Sequence, residues 1–236
     1  MAKVQLFINP WTNERFLLLP DYPDLLYGAL DFRWADVAAI YDSTLSRVVY
    51  PGQSMKEQYL SYIIYDLHEK RITGKASLPL VSRPPVWAPD SNSFAVVSDR
   101  ESGKFTDEIY NVGTDGAVKR LTNLYEFSQG TNIDRLSWSP DGSQIAFWAR
   151  TVTRDYQEVG ILDIETHKIT IFCLKNENGR MNGYESNAPI WSPDGYQLMV
   201  SVADQKNNHF VVLIDHQWMS AVQLLQPGLS PRGWLP

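Results

Sequence analysis

Four short stretches recur along this chain at nearly constant spacing, and each combines an aromatic residue, a turn and an apolar run. They are "IYDSTLSRVVYPG" (residues 40–52), "VWAPDSNSFAVVSDR" (86–100), "RLSWSPDGSQIAFWAR" (135–150) and "PIWSPDGYQLMVSV" (189–202). Their aromatic anchors Tyr41, Trp87, Trp138 and Trp191 are separated by 46, 51 and 53 residues. A second feature keeps step with the first. Short β-rich runs, "YIIYDL", "EIYNV", "VGILDI" and "FVVLID", are centred on Ile63, Ile109, Ile161 and Leu213, 22 or 23 residues after each anchor. Two features locked at one offset in four copies define a repeated structural unit.

The chemistry of the turn follows from its residues. In Ser-Pro-Asp-Gly, Pro fixes φ at the second position, Asp suits the third, and Gly accepts the positive φ that closes a three-residue hairpin with a bulge. The runs that follow, "IAFW" and "FAVV", are apolar without alternation, the mark of strands covered on both faces. After each C-type run a polar turn leads to another short strand, as in "GTDGAVKRLT" and "ETHKITIF". Each unit is therefore predicted to hold four antiparallel strands, A to D, with SPDG as the A–B turn. Ser91 and Leu45 stand where two of the turns lack Gly, so those turns are expected to use another residue or geometry.

Four-strand units repeating at about this length are propeller blades, stacked so that each buries its neighbour's faces. The anchor Trp residues are expected at equivalent buried positions between blades. The pattern P-x-W-S-P-D-G-x-x-[IL], with an I-Y-like strand and the Arg120-Leu121-Thr122 ending, resembles the TolB-like propeller repeat over roughly residues 41–225. The resemblance implies an all-β propeller. Propellers of that family occur in periplasmic or secreted proteins and in the non-catalytic domain of prolyl-oligopeptidase-type peptidases. It implies no single activity, because propellers host many.

The predicted architecture is a single domain over residues 1–236 with about five four-stranded antiparallel blades, one composite or incomplete. Residues 4–19 read as strands C and D of that blade. Whole blades are expected at about 30–80, 81–125, 131–175 and 186–225, with a closing strand A at 227–236. Trp234, 43 residues after Trp191, anchors that strand, and it is expected to pair beside the N-terminal strands. No strand B follows it, so the composite blade is either three-stranded or the chain is part of a longer protein.

Composition narrows the function. The net charge of −6 argues against broad capture of nucleic acid or of an anionic membrane. No apolar run approaches the roughly 20 residues that span a bilayer, and no signal peptide is read in the first residues, which leaves the compartment open. Cys173 is the only cysteine, so no internal disulfide is possible. No zinc-type Cys/His spacing, DxDxDG loop, nucleophile elbow, P-loop or dinucleotide fingerprint is present, and neither a metal nor a cofactor is expected. Asp90, Asp141 and Asp194 are explained by turn chemistry, and His68, His167 and His216 are expected to be solvated residues of C–D turns.

Two functional readings remain. In the first, the chain is a non-catalytic scaffold that binds another protein or a carbohydrate. The D–A and B–C connections share one end of the propeller and are long and rich in Arg and aromatics, and loops on a rigid scaffold commonly carry binding. Its candidates are Arg100, Tyr125, Phe127, Arg135, Arg150, Tyr156 and Tyr184. In the second, the chain is a funnel-site enzyme such as a five-bladed glycoside hydrolase, with carboxylates Asp36, Asp134 and Glu185 ahead of the anchors.

Overall fold

The turn residues and the doubly buried strands dictate a series of antiparallel sheets laid face to face. The computed structural model describes residues 5–8, 15–18, 40–52, 61–78, 84–99, 106–127, 130–151, 156–176, 179–180, 182–183, 187–224 and 233–234. An N-terminal hairpin is formed by β1 (Gln5–Ile8) and β2 (Arg15–Leu18). The first blade follows in the order β3 (Ile40–Tyr41), β4 (Arg47–Gly52), β5 (Ser61–Asp66) and β6 (Arg71–Ala76). The second runs through β7 (Val86–Trp87), β8 (Ser93–Ser98), β9 (Glu108–Gly113) and β10 (Val118–Arg120). A single helical turn, α1 (Leu124–Phe127), leads to the third blade: β11 (Thr131–Trp138), β12 (Gln144–Thr151), β13 (Glu158–Asp163) and β14 (Ile169–Phe172).

A small hairpin of β15 (Lys175–Asn176) and β16 (Gly179–Arg180) precedes the fourth blade. There the innermost strand is split. Both β17 (Asn182–Gly183) and β18 (Ile190–Trp191) pair with the same edge of β19 (Gln197–Ala203), which continues to β20 (His209–Asp215) and β21 (Ser220–Gln223). The architecture is an all-β propeller of antiparallel blades. β1 and β2 hydrogen-bond as strands only to each other, so the described sheets do not close into a ring.

Alternate residues of one strand serve two interfaces, which explains the non-alternating apolar runs. Phe94 and Val96 of β8 join the first blade's Val49, Tyr62 and Ile64, while Ala95 and Val97 join the third blade's Ile133, Ile145 and Phe147. Between the third and fourth blades, Ala146, Trp148 and Ile161 meet Leu198, Val200, Val212 and Ile214.

The anchors do more than fill space. Trp87 Nε1 donates to Ile40 O at 2.9 Å, Trp138 to Val86 O at 2.9 Å, and Trp191 to Ser137 O at 3.0 Å. Each acceptor is the residue just before the preceding anchor, so one rung ties every inner strand to the one before it. Trp234 Nε1 extends the series to Ile190 O at 3.3 Å. Trp234 thus occupies the anchor position foreseen for it. The pairing of its strand with the N-terminal strands lies outside the described residues. Burial is unequal along the ladder: Trp87 and Trp191 are buried, whereas Trp138 is only half-buried, contrary to the expectation of equivalent buried positions.

All four A–B turns share one geometry. The i to i+3 bonds Leu45 N to Asp42 O, Ser91 N to Ala88 O, Gly142 N to Ser139 O and Gly195 N to Ser192 O measure 2.9–3.1 Å. Leu45 and Ser91 adopt φ of 57° and 58°, beside 73° and 77° at Gly142 and Gly195. Of the two alternatives expected, another residue or another geometry, the structure takes the first: these turns keep the geometry and place a non-glycine residue in the left-handed region. In the third and fourth blades Ser139 and Ser192 hydroxyls bond Asp141 and Asp194 at 2.6 and 2.5 Å. Those hydroxyls, with the Ser143 and Tyr196 amides next, hold both carboxyls below the usual Asp range. In the first blade Asp42 takes over both roles by accepting the Ser46 and Arg47 amides at 2.8 and 3.0 Å.

Left-handed residues outside glycine offer a direct stability test. A Cβ at Gly142 would touch only Pro89 Cδ at 3.7 Å, so Gly142→Ala should cost about 1 kcal/mol from backbone conformation alone. Exposed Lys70, with φ 53° in a C–D turn, is the reverse case. Lys70→Gly should gain about 0.5 kcal/mol, the relief being partly offset by glycine's unfolded-state entropy. Urea midpoints at constant m-value check both signs.

Candidate loop-end site

The two ends of the blades are distinguished by their hydrogen bonds. At one end the A–B and C–D turns are tied together: Leu67 N to Ser46 O, Thr114 N to Asn92 O and Ile164 N to Ser143 O, at 2.9–3.1 Å. At the other end the connections of neighbouring blades interlock. Asp107 N reaches Thr131 O at 2.8 Å, Asp107 Oδ2 accepts Ile133 N at 2.9 Å, and Gly130 N donates to Thr106 Oγ1 at 2.8 Å. This second end carries the connections that hold Tyr125 and Tyr156.

Here the inner strands of the third and fourth blades both depart from regular geometry. β11 slips register between Asp134 and Ser137, and Arg135 within the slip has φ 54°. A bulge with a left-handed arginine re-aims its side chain, and such bulges gather beside functional sites. Arg135 is exposed. Its Nε lies 4.0 Å from Asp134 Oδ1, an exposed contact of little energetic weight. In the fourth blade the interruption between β17 and β18 falls at the same level of the inner strand. Trp148 Nε1 donates to Asn187 O at 3.1 Å and fixes that connection against the third blade. Beside it Ser137, Trp138, Pro140, Asn187, Pro189 and Trp191 help line a recess of about 470 Å³.

The sequence candidates separate into groups. Arg135 lies on the bulge, and Arg150 stands on β12 directly opposite Asn132 of β11, all three exposed. Tyr156, half-buried, follows on the B–C connection of the same blade. Tyr125 is half-buried in α1, on the connection from outermost β10 to innermost β11. Phe127 ends α1, and its side chain lies outside the described residues. So do Arg100, Tyr184, and the carboxylates Asp36 and Glu185. Of the proposed funnel carboxylates, Asp134 alone is described, half-buried on the bulge. Among the described residues no group of three or more His, Cys, Asp or Glu side chains converges.

The histidine expectation needs correction. His68 is exposed, but His216 is half-buried, with Nε2 3.0 Å from Gly195 O and its ring edge-on to Trp191 at 5.6 Å. His167 is exposed yet places Nδ1 2.8 Å from Leu121 O of the preceding blade. Both act as interblade or interturn links.

Sequence reasoning missed Glu108, the residue that organises the second blade's exit. Its carboxylate is fully buried and accepts from Arg120 Nη2 at 2.7 Å, Thr122 Oγ1 at 2.5 Å, and the Leu124 and Tyr125 amides at 2.9 Å. The Arg-Leu-Thr signature was visible, but its acid partner lies 12 residues upstream on another strand.

No family model matches the chain, and no curated protein matches it. Solved structures do. TolB from Acinetobacter baumannii superposes with a TM-score of 0.58 at 18% identity, over 93% of this chain and 48% of that one. An oligogalacturonate lyase in complex with manganese gives 0.55 at 11%, over 79% and 52%. A puromycin hydrolase gives 0.55 at 14%, over 82% and 29%. The fold is a TolB-like β-propeller. The chain spans about half the length, or less, of these structures.

Proposed function

We propose that this chain is a non-catalytic propeller scaffold that binds another protein, or a carbohydrate, through its loop-bearing end. The observation that carries the reading is the coincidence of the β11 bulge at Arg135 with the split inner strand of the fourth blade. A strained arginine is held at an exposed position by a rigid, doubly buried sheet, with Arg150 on the neighbouring strand. Arg forks onto carboxylates and also stacks on planar faces, which suits an acidic or mixed protein surface or a sugar carboxylate. Similarity to TolB and to structures of enzymes that contain the same fold supports the propeller scaffold itself.

Arg150→Ala with Tyr156→Ala should weaken partner capture by 1 kcal/mol or more, on the order of a truncated hot-spot residue. Denaturant midpoints should move little for Arg150→Ala, which removes an exposed side chain. Unchanged capture in these variants, with loss on substitution around His68 and His167, would place the interface at the opposite end. Asp134 on the bulge favours one competing reading, a funnel carboxylate acting on glycosidic bonds. A glycan-cleavage screen decides: turnover abolished by Asp134→Asn would overturn the scaffold proposal.

A further inference from the structure

We infer that the recess between the outer parts of the second and third blades is a binding site for a small apolar molecule carrying one cationic amine. The inference is independent of the loop-end reading and rests on three observations.

The first is a missing apolar plug. Counted from the hairpin turns, Tyr62, Ile109 and Val159 are equivalent residues of β5, β9 and β13. Their neighbours on the outer side are Ala76, Leu121 and Phe172. Two positions further on, the first and third blades carry Leu78 and Leu174, each buried in the cluster shared with the next blade. The second blade carries Asn123 there, and Leu124 beside it is only half-buried.

The second is a missing side chain on the sheet that faces this gap. Where the other blades bury Ile63, Tyr110 and Val212, β13 has Gly160. The Phe147 ring lies against that glycine, so that a Cβ there would overlap it. Ile171, opposite Gly160 on β14, is 43% exposed. Both omissions fall in one interface and leave a recess of about 840 Å³ with Leu121, Leu124, Phe147, Ala149, Ile169 and Ile171 among its walls. That volume lies within the roughly 300–1,000 Å³ of small-molecule sites, which are likewise mainly apolar with a few placed polar groups.

The third is the charge that lines it. The guanidinium among the lining residues, Arg120, is already paired with Glu108 at 2.7 Å. The lining carboxylates are Glu126, exposed on α1, and Glu158 on β13, which is 9% exposed and stands where the fourth blade has Phe210. A carboxylate set in an apolar wall attracts a cation more strongly than one in open water. An apolar body with an ammonium end complements both features, and an anion does not.

Isothermal titration of the full chain with n-octylamine, n-octanol and n-octanoate tests the inference. The amine should bind once per chain, at least about tenfold more tightly than either of the others. Asn123→Leu restores the residue type of the other blades and should abolish binding while the urea midpoint stays or rises. Glu158→Gln with Glu126→Gln should bring the amine down to the affinity of the alcohol and leave the alcohol unchanged. Should that pair fail to fold, Ile171→Lys sets a cation at an exposed position of the recess and should weaken the amine by about tenfold. Equal affinity for all three probes overturns the cationic assignment, and a preference for octanoate overturns it in favour of an anionic ligand. Absence of binding, several amines bound per chain, or binding that survives both Asn123→Leu and Ile171→Lys overturns the site.

Discussion

Glu108→Ala should lower folding stability by about 3 to 5 kcal/mol, the cost of stripping one partner from a buried ion pair. The loss exceeds a single bond because four donors converge on one fully buried carboxylate: a guanidinium, a hydroxyl and two amides. Arg120 remains bonded to Asn123 Oδ1 and Thr122 O, and its side chain is 26% exposed, so the lower half of that range is expected. Glu108→Gln keeps the shape but lacks the charge, and should fall between the two. Chemical denaturation monitored by far-UV dichroism measures both; a loss under 1 kcal/mol for the alanine variant would show that the carboxylate does not organise this exit.

Trp191→Ala should cost a comparable 3 to 5 kcal/mol, as buried aromatic truncations do. The indole is 7% exposed, packs in the cluster between the third and fourth blades, receives the His216 ring and donates to Ser137 O. Removing it leaves a cavity and an acceptor without its donor. Trp138→Ala should cost less than Trp191→Ala, because Trp138 is half-buried although its rung is equally short. Equal losses at the two positions would mean that the hydrogen bond, rather than burial, dominates each anchor. Trp191→Phe separates the terms by retaining most of the apolar volume.

The architecture was legible because the repeat couples an aromatic anchor, a turn with a definite φ requirement and a doubly buried strand at fixed offsets. Each of those is a local property. Leu45 and Ser91 left two answers open because a residue type suggests a φ without compelling it; the strands on either side hold the turn in its left-handed conformation. His216 misled because its neighbours, Gly195 and Trp191, are 21 and 25 positions away in the chain. The candidate site was legible only in part. Loop composition singled out Arg135 and Arg150, which the structure places on the neighbouring strands β11 and β12. The bulge at Asp134–Ser137 depends on cross-strand register, and no residue in "NIDRLSW" announces it.

The indole ladder also has a direction. Every rung runs from a later inner strand to an earlier one, with donor and acceptor on opposite sides of each sheet. That polarity also sets where the series stops. The first blade's anchor is Tyr41, which carries no indole N–H, so no rung of this kind can reach from the first blade to an earlier strand, whether in this chain or in a second copy.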